Sequence, residues 1–226
     1  MIDHSRLGIY LDSLETDDPE WIREIEQYGR EHQIPIIRRE TAALLLFMLR
    51  TLRAKRVLEI GAAIGYSAVL MAAGCRELEK ITTIEIRPEH AAMARDNFAR
   101  AAEQGIGTAF ELLEGDASDL LPGLSGPYDL IFLDAAKGQY PQWLPELKRL
   151  LKDGGVLFAD NVLQGGTILE SRFLIERRDR TIHGRIREFL YQIKHDVELT
   201  TAVVPVGDGV SLSLKTVSGG NDLERE

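Results

Sequence analysis

The sequence predicts an α/β protein with a seven-stranded, mostly parallel sheet, helices on both of its faces and a helical N-terminal extension. Three observations predict this fold class. From Lys55 onward, short continuous apolar runs alternate with helical stretches, as is typical of buried parallel strands. The last two runs are joined by Gly207-Asp208-Gly209, a turn so short that it predicts a C-terminal antiparallel hairpin. The first 53 residues show helical periodicity instead.

The helical extension is predicted from apolar residues at helical spacing. One stripe runs from Leu7 to Leu14, and a second runs from Trp21 to Tyr28. Asp18-Pro19 predicts the start of the second helix, because proline at an early helical position has no N–H to lose. Pro35 separates that helix from a third, which we expect at roughly Arg38–Leu52.

The elements after Lys55 follow from the same alternation of patterns. The predicted strands are Arg56–Ile60, Lys80–Ile86, Ala109–Leu113, Tyr128–Leu133, Gly155–Ala159, Leu199–Val206 and Val210–Thr216. The predicted helices are Tyr66–Ala73, Pro88–Ala102, Ala117–Leu121, Tyr140–Leu151 and Arg172–His195. We expect a single domain over residues 1–217, with the sheet in 54–217, followed by a disordered polar tail at 218–226.

The composition excludes several classes of protein. A net charge of −9 argues against indiscriminate binding to polyanions. The single cysteine, Cys75, cannot form an internal disulfide, which favours a reducing, cytoplasmic location. The longest apolar stretch, Thr41–Leu49, is too short to span a bilayer, and the N-terminus does not resemble a secretory signal.

Glycine-bearing and acidic residues follow the first three predicted strands. The first strand runs into a turn with Gly61 and Gly65, where a ligand can approach the bare backbone. The G-x-x-x-G spacing disfavours a nicotinamide dinucleotide, which needs G-x-G-x-x-G. Glu85 ends the second strand and suits a ribose diol, unless it is a solvated surface acid. Asp116 suits an adenine amino group or the cap of the next helix.

A second group of polar residues follows the fourth and fifth predicted strands. Asp134 follows one strand, and Asp160 and Asn161 follow the next. Three oxygen ligands of this type suit a hard divalent cation such as Mg²⁺. Without a cation, two converging carboxylates would repel each other. The alternative is that Asp160 or Asn161 caps a helix.

These motifs together resemble one known family. The chain is similar to the metal-dependent class I O-methyltransferases of the catechol and caffeoyl-CoA type from about Ile34 to Lys215. The segments that carry the resemblance are LEIGAAIGYS, TIEIRPEHAA, FLDAAKGQY, ADNVL and PVGDG. IPII, DAAKGQY, DNVLQGG and VPVGDG bring the chain closest to the bacterial tRNA 5-hydroxyuridine methyltransferases. The resemblance implies a Rossmann-like fold and an enzyme.

The resemblance also assigns roles to residues of this chain. It implies S-adenosylmethionine as cofactor. Most of the residues that would bind it lie at or after the ends of predicted strands, and the full set is Ile37, Glu59, Gly61, Gly65, Ser67, Glu85, Asp116, Ala117 and Asp134. It implies Mg²⁺, or Mn²⁺ or Ca²⁺ in the same site, held by Asp134, Asp160 and Asn161. Lys137 and Asp134 would be catalytic, with Lys137 taking the acceptor's proton or stabilising its anion.

The expected reaction is methylation of 5-hydroxyuridine in a tRNA anticodon loop to 5-methoxyuridine. A small catechol or phenylpropanoid is the alternative acceptor, because both kinds of molecule offer two adjacent oxygens to one metal ion. A non-catalytic S-adenosylmethionine-binding protein is an alternative of another class, disfavoured by the intact set of acids and lysine. We further expect a homodimer.

A basic segment bears on the choice of acceptor. Between Arg172 and Arg187, six arginines stand against two acids, which gives this segment a net charge of +4. Arg38 and Arg39 add to the basic residues expected near the acceptor. The segment is either a solvated helix face with ion pairs or a surface that binds RNA phosphates.

Overall fold

The computed structural model describes residues 10, 13–14, 18–171 and 173–216. Its strands are β1 (Arg56–Ile60), β2 (Lys80–Glu85), β3 (Ala109–Glu114), β4 (Tyr128–Leu133), β5 (Leu151–Ala159), β6 (Leu199–Val204) and β7 (Val210–Lys215). Within the described residues they form a seven-stranded sheet in the order β3-β2-β1-β4-β5-β7-β6. The pairs β1–β2, β2–β3 and β4–β5 are parallel, whereas β7 pairs antiparallel with β5 and with β6. The predicted fold class is confirmed.

The helices lie where the apolar periodicity places them, with one exception. They are α1 (Glu20–Glu31), α2 (Arg39–Leu52), α3 (Tyr66–Gly74), α4 (Pro88–Glu103), α5 (Ala117–Leu120), α6 (Tyr140–Leu150) and α7 (Arg180–His195). Pro19 is the N-cap of α1, as Asp18-Pro19 predicts. Most of the helix predicted over Leu7–Leu14 lies outside the described residues, as does the predicted tail.

The exception is the last helix, which begins at Arg180 and not at Arg172. Its buried residues His183, Ile186, Phe189 and Ile193 recur at helical spacing. The preceding Phe173 and Leu174 are 87% and 75% exposed, although the adjacent Ile175 is buried, so these residues do not form an apolar stripe at helical spacing. The residues described between Phe173 and Asp179 form turns instead.

Contacts divide the chain into two compact units, the first ending at Leu120 and the second beginning at Leu121. In the first unit, the parallel register places Glu59 opposite Thr83 and Glu85 opposite Glu114. In the second unit, Leu133 pairs with Ala159, so Asp134 and Asp160 follow paired residues. The expectation of a single domain stays a prediction.

The strand ends are held by a buried apolar core. Val57, Leu58 and Ile81 in the first unit, and Ile131 and Phe158 in the second, are essentially inaccessible to water. Such continuous burial is typical of parallel strands that are covered on both faces. No helix in the described part of the chain is both long and apolar enough to cross a membrane.

Candidate functional site

The turn between β1 and α3 requires its two glycines. Gly61 and Gly65 adopt φ angles of 102° and 79°, in the left-handed region that disfavours side chains. A Cβ on Gly65 would also lie 2.7 Å from a ring carbon of Phe98. The two glycines therefore present bare backbone at the carboxyl end of β1, as the sequence predicts.

Glu85, at the end of β2, is bound to this turn. One carboxylate oxygen accepts the Ala63 N–H at 2.8 Å, and the other accepts the Arg87 N–H at 2.9 Å. The residue is only 7% exposed, so it is not the solvated surface acid of the alternative interpretation. A carboxylate has about four acceptor positions, so the two backbone bonds leave capacity for a ligand's hydroxyl groups.

A buried network lies beneath the same turn. The carboxylate of Glu59 is inaccessible to water and accepts the hydroxyls of Ser67 at 2.5 Å and Thr83 at 2.6 Å. The sequence motifs did not predict that Thr83 belongs to this network. The available signal was strand alternation, which places Thr83 on the same face of β2 as Glu85. The network fixes Ser67 at the start of α3.

The other predicted cofactor residues of the first unit occupy varied positions. One carboxylate oxygen of Asp116 accepts the Ser118 N–H at 2.8 Å, which confirms the capping interpretation for that atom. Its second oxygen remains the candidate for an adenine amino group. Ala117 and Ile37 are buried, at 6% and 4% exposure.

In the second unit, two carboxylates follow neighbouring strands. The Asp160 N–H donates to the Leu133 carbonyl at 3.0 Å, which continues the ladder between β4 and β5. Burial first, and then the nearby charge of Asp134, raise the pKa of the Asp160 carboxyl to about 7. The charge of Asp134 therefore lies close enough to disfavour ionisation of Asp160.

Asn161 follows Asp160 directly and carries a buried side-chain oxygen. Its side-chain Oδ1 is buried and accepts no hydrogen bond within the described part of the chain. The residue adopts φ 57°, and its backbone N–H donates to an oxygen of Asp160 at 2.6 Å. The helix-capping alternative is wrong, because the next helical turn starts only at Gln164 and its N-cap residue is Leu163.

This donor set fits a hard cation. A buried amide oxygen without a partner is costly, and two converging carboxylates repel each other, yet one divalent cation would satisfy all three groups. Among the described residues, no three or more His, Cys, Asp or Glu side chains form a cluster that could hold a metal ion. The predicted set differs from such a cluster because its third member is an amide.

Lys137 completes the group. Its Nζ lies 3.0 Å from Oδ1 of Asp134, and its side chain is 16% exposed. Burial by itself lowers the pKa of Lys137, but the negative charges that Tyr140, when ionised, and Asp134 place beside it raise the pKa above its usual range. The structure thus brings together Asp134, Lys137, Asp160 and Asn161, the four residues that the sequence predicts at these strand ends.

Two further residues of the second unit lie close to these side chains and were not predicted from the sequence as site residues. Tyr140 is fully buried and bonds to the backbone around Asp134. Asp208, in the turn between β6 and β7, contributes to the raised pKa of Asp160. The segments FLDAAKGQY and PVGDG contain both residues, but their spacing alone does not reveal these contacts.

The basic segment is partly neutralised. Arg178 pairs with Glu176 and Asp179, and Arg185 pairs with Glu188. Nε of Arg180 donates to the Ile175 carbonyl at 3.0 Å. Arg177 and Arg187 are exposed, and Arg172 lies outside the described residues. The solvated-face interpretation therefore fits the paired Arg178 and Arg185. RNA binding by the segment stays a prediction.

Most of the chain is similar to known proteins. A family model described as O-methyltransferase matches residues 12–216. A catechol O-methyltransferase of Mycobacterium tuberculosis is 35% identical over 175 residues, which cover 75% of this chain and 76% of that protein.

Solved structures are similar over nearly the whole chain. The O-methyltransferase TomG of Streptomyces achromogenes, involved in tomaymycin synthesis and solved in complex with SAM, is 27% identical at a TM-score of 0.79, covering 96% of this chain and 100% of TomG. The SAH-bound methyltransferase PaMTH1 of Podospora anserina is 26% identical at a TM-score of 0.81, covering 95% of each chain.

Proposed function

Because the chain belongs to the O-methyltransferase family, we propose that it transfers the methyl group of S-adenosylmethionine to the 5-hydroxyl of 5-hydroxyuridine in tRNA with a divalent cation in its acceptor site. The coarser activity, methylation of an oxygen by S-adenosylmethionine, is that of the family. The observation that carries the proposal for the acceptor site is the unpartnered, buried Oδ1 of Asn161 beside Asp160.

The cofactor would bind at the ends of β1 to β3. Glu85 is placed to accept hydrogen bonds from the ribose hydroxyls, and Ser67, held by Glu59, is placed to bind the methionine part. Asp116 has an oxygen left for the adenine amino group. The sulfonium makes its methyl group electrophilic, so these residues must above all orient it towards the acceptor.

The acceptor would bind at the ends of β4 and β5. Asp134, Asp160 and Asn161 would hold a divalent cation such as Mg²⁺, Mn²⁺ or Ca²⁺. When bound, the cation lowers the pKa of the acceptor hydroxyl and favours its oxyanion. Lys137 would stabilise the negative oxygen as an ammonium ion or, once it has lost a proton, receive the departing one. The methyl group passes from sulfur to that oxygen as the sulfur–carbon bond breaks.

The basic segment favours an RNA acceptor. Arg177 and Arg187 are exposed in a chain of net charge −9. The helix α7, which carries Arg187, packs against the turn Lys137–Gln139 and against the turn Gln164–Leu169. Exposed positive charge beside the acceptor residues is suited to phosphates flanking a target base.

A small phenol is the second candidate acceptor. The observation that favours it is the 35% identity with a catechol O-methyltransferase. Both candidates present two adjacent oxygens, so the donor set of Asp134, Asp160 and Asn161 does not separate them. The predicted homodimer and cytoplasmic location stay predictions.

The deciding experiment is nucleoside mass spectrometry of tRNA from a strain that lacks this protein. We expect loss of 5-methoxyuridine and accumulation of 5-hydroxyuridine. The purified protein should then methylate that tRNA in the presence of S-adenosylmethionine and Mg²⁺. Unchanged methoxyuridine in the strain, together with rapid turnover of catechol by the protein, would favour the phenol.

Glu85→Ala is expected to weaken S-adenosylmethionine binding by roughly tenfold or more, because hydrogen bonds to a charged group contribute about 1.5–3 kcal/mol each. Isothermal calorimetry measures the affinity directly. Glu85→Gln keeps one carbonyl oxygen and should show an intermediate loss. Glu79→Ala is the matched control, since Glu79 precedes the opposite end of β2 and pairs with Lys55 at the surface. Unaltered affinity in Glu85→Ala would remove Glu85 from the cofactor site.

Replacing Arg177 and Arg187 together with Ala is expected to raise KM for tRNA and to flatten its salt dependence. Each lost phosphate contact lowers the slope of log affinity against log salt by about 0.7–0.9. The double Lys variant keeps the charge and should stay near wild type, and Arg76→Ala controls for net charge. If the Ala variant handles tRNA normally at every salt concentration, these arginines form only a solvated face.

A further inference from the structure

Tyr140, the first residue of α6, binds the backbone on both sides of Asp134. Its phenolic oxygen accepts the Ala135 N–H at 3.1 Å and donates to the Leu133 carbonyl at 3.2 Å. The same Leu133 carbonyl accepts the Asp160 N–H at 3.0 Å. One hydroxyl is therefore bonded to the residues on both sides of Asp134. One of these two bonds is to the Leu133 carbonyl that also accepts the Asp160 N–H.

The turn held in this way contains small side chains. Ala135 and Ala136, which follow Asp134, are respectively half-buried and exposed, and their methyl side chains bury little surface. A small side chain gives a turn few packing contacts, so its geometry depends on hydrogen bonds. The hydroxyl of Tyr140 supplies two of them.

The ring of Tyr140 is itself fixed and reaches Lys137. It is fully buried and lies edge-to-face with Phe189, with 5.3 Å between ring centroids, and 6.2 Å from Trp143. The Nζ of Lys137 lies 5.8 Å from the centre of the Tyr140 ring and 3.0 Å from Asp134. The aromatic face can stabilise the ammonium at this distance.

We propose that Tyr140 is the positioning residue of the acceptor site: its hydroxyl sets the direction of the Asp134 carboxylate, and its ring sets the place of Lys137. The proposal rests on the roles proposed above for Asp134 and Lys137. Packing alone does not require the hydroxyl, because a phenylalanine would fill the same apolar surroundings without burying a polar group.

The test is Tyr140→Phe, which removes the hydroxyl and keeps the ring. We expect kcat to fall about 10- to 100-fold with whichever acceptor the wild type methylates, because a displacement of about 1 Å in a catalytic group can cost 100-fold. The affinity for S-adenosylmethionine should change little. Mn²⁺ affinity, measured by electron paramagnetic resonance without cofactor or acceptor, should fall severalfold.

Tyr128→Phe is the matched control. Tyr128 is also buried and begins the strand that ends before Asp134, so the variant loses a buried tyrosine hydroxyl at the far end of β4. Thermal unfolding of both variants measures the general cost of such a loss. If the two variants lose the same amount of stability but only Tyr140→Phe shows a lower kcat, the result supports the role of Tyr140 in positioning Asp134 and Lys137.

A double-mutant cycle with Lys137→Met separates positioning from simple packing. Asp134 holds Lys137 at 3.0 Å, so a hydroxyl that directs the Asp134 carboxylate also acts through Lys137. The combined loss in kcat is then smaller than the product of the two single losses. Wild-type kcat in Tyr140→Phe, or losses that multiply in the double variant, would overturn the proposal. If the wild type binds no Mn²⁺, the proposed cation role fails, while kcat and the cycle still test Tyr140.

Discussion

Asp160→Ala is expected to abolish methyl transfer and to leave the fold and the affinity for S-adenosylmethionine largely intact. Asp160 is 6% exposed and supplies one of two carboxylates proposed to hold the cation. Removing a group that only supports a metal ligand costs about 10- to 100-fold in affinity or activity, so loss of a ligand itself should cost at least that. The fold should tolerate the change, because two carboxylates without a cation repel each other.

The measurements are initial rates, Mn²⁺ binding and thermal unfolding. Chelation should inactivate the wild type, and Mg²⁺ or Mn²⁺ should restore it, whereas no cation should restore Asp160→Ala. Asp153→Ala is the control, because Asp153 belongs to the same strand, β5, but is exposed and pairs with Lys215. Full activity of a thoroughly demetallated wild type would exclude the proposed role of the cation.

The fold could be predicted closely where burial and sequence pattern coincide. β1 and β4 have the predicted bounds because each is a mostly apolar, mostly buried run of residues. β5 begins at Leu151, four residues earlier than predicted, since its first part contains the exposed Lys152, Asp153 and Gly154. An apolar pattern cannot reveal a strand segment that is exposed. The last helix was placed too early for the opposite reason, because the apolar Phe173 and Leu174 are exposed.

The candidate site could be predicted where it depends on topology alone. Parallel strands end at one edge of a sheet, so acids that follow neighbouring strands, such as Asp134 and Asp160, must lie near one another. Contacts that depend on how a turn folds back could not be predicted. The bonds from Tyr140 to Leu133 and Ala135 are of this kind, since they span only a few residues and leave no periodic signal.

The orientation of Asn161 also depends on how a turn folds, and it could not be predicted from the sequence. Its left-handed backbone, at φ 57°, turns the chain after β5, and its amide oxygen is buried. Asparagine tolerates this conformation better than most residues, but the sequence alone leaves helix capping as an alternative use of the same residue. Only the position of the next helical turn, which starts at Gln164, decides between them.

Lys137→Ala is expected to lower kcat about 10²- to 10⁴-fold, the range typical of a group that moves or compensates a proton. KM for the acceptor should change much less, because Lys137 is proposed to act on charge that develops as the methyl group moves. Loss of its bond to Asp134 at 3.0 Å adds to the effect. Steady-state kinetics with saturating S-adenosylmethionine separates kcat from KM.

Lys137→Arg distinguishes the two roles left open for this residue. Arginine keeps the positive charge but stays protonated at any accessible pH, so it can stabilise an oxyanion and cannot accept a proton. If Lys137 acts as a base, Lys137→Arg should be as inactive as Lys137→Ala. If Lys137 acts through its charge, Lys137→Arg should recover a substantial part of kcat. A change confined to KM in both variants would instead make Lys137 a residue that only binds the acceptor, and would exclude both roles.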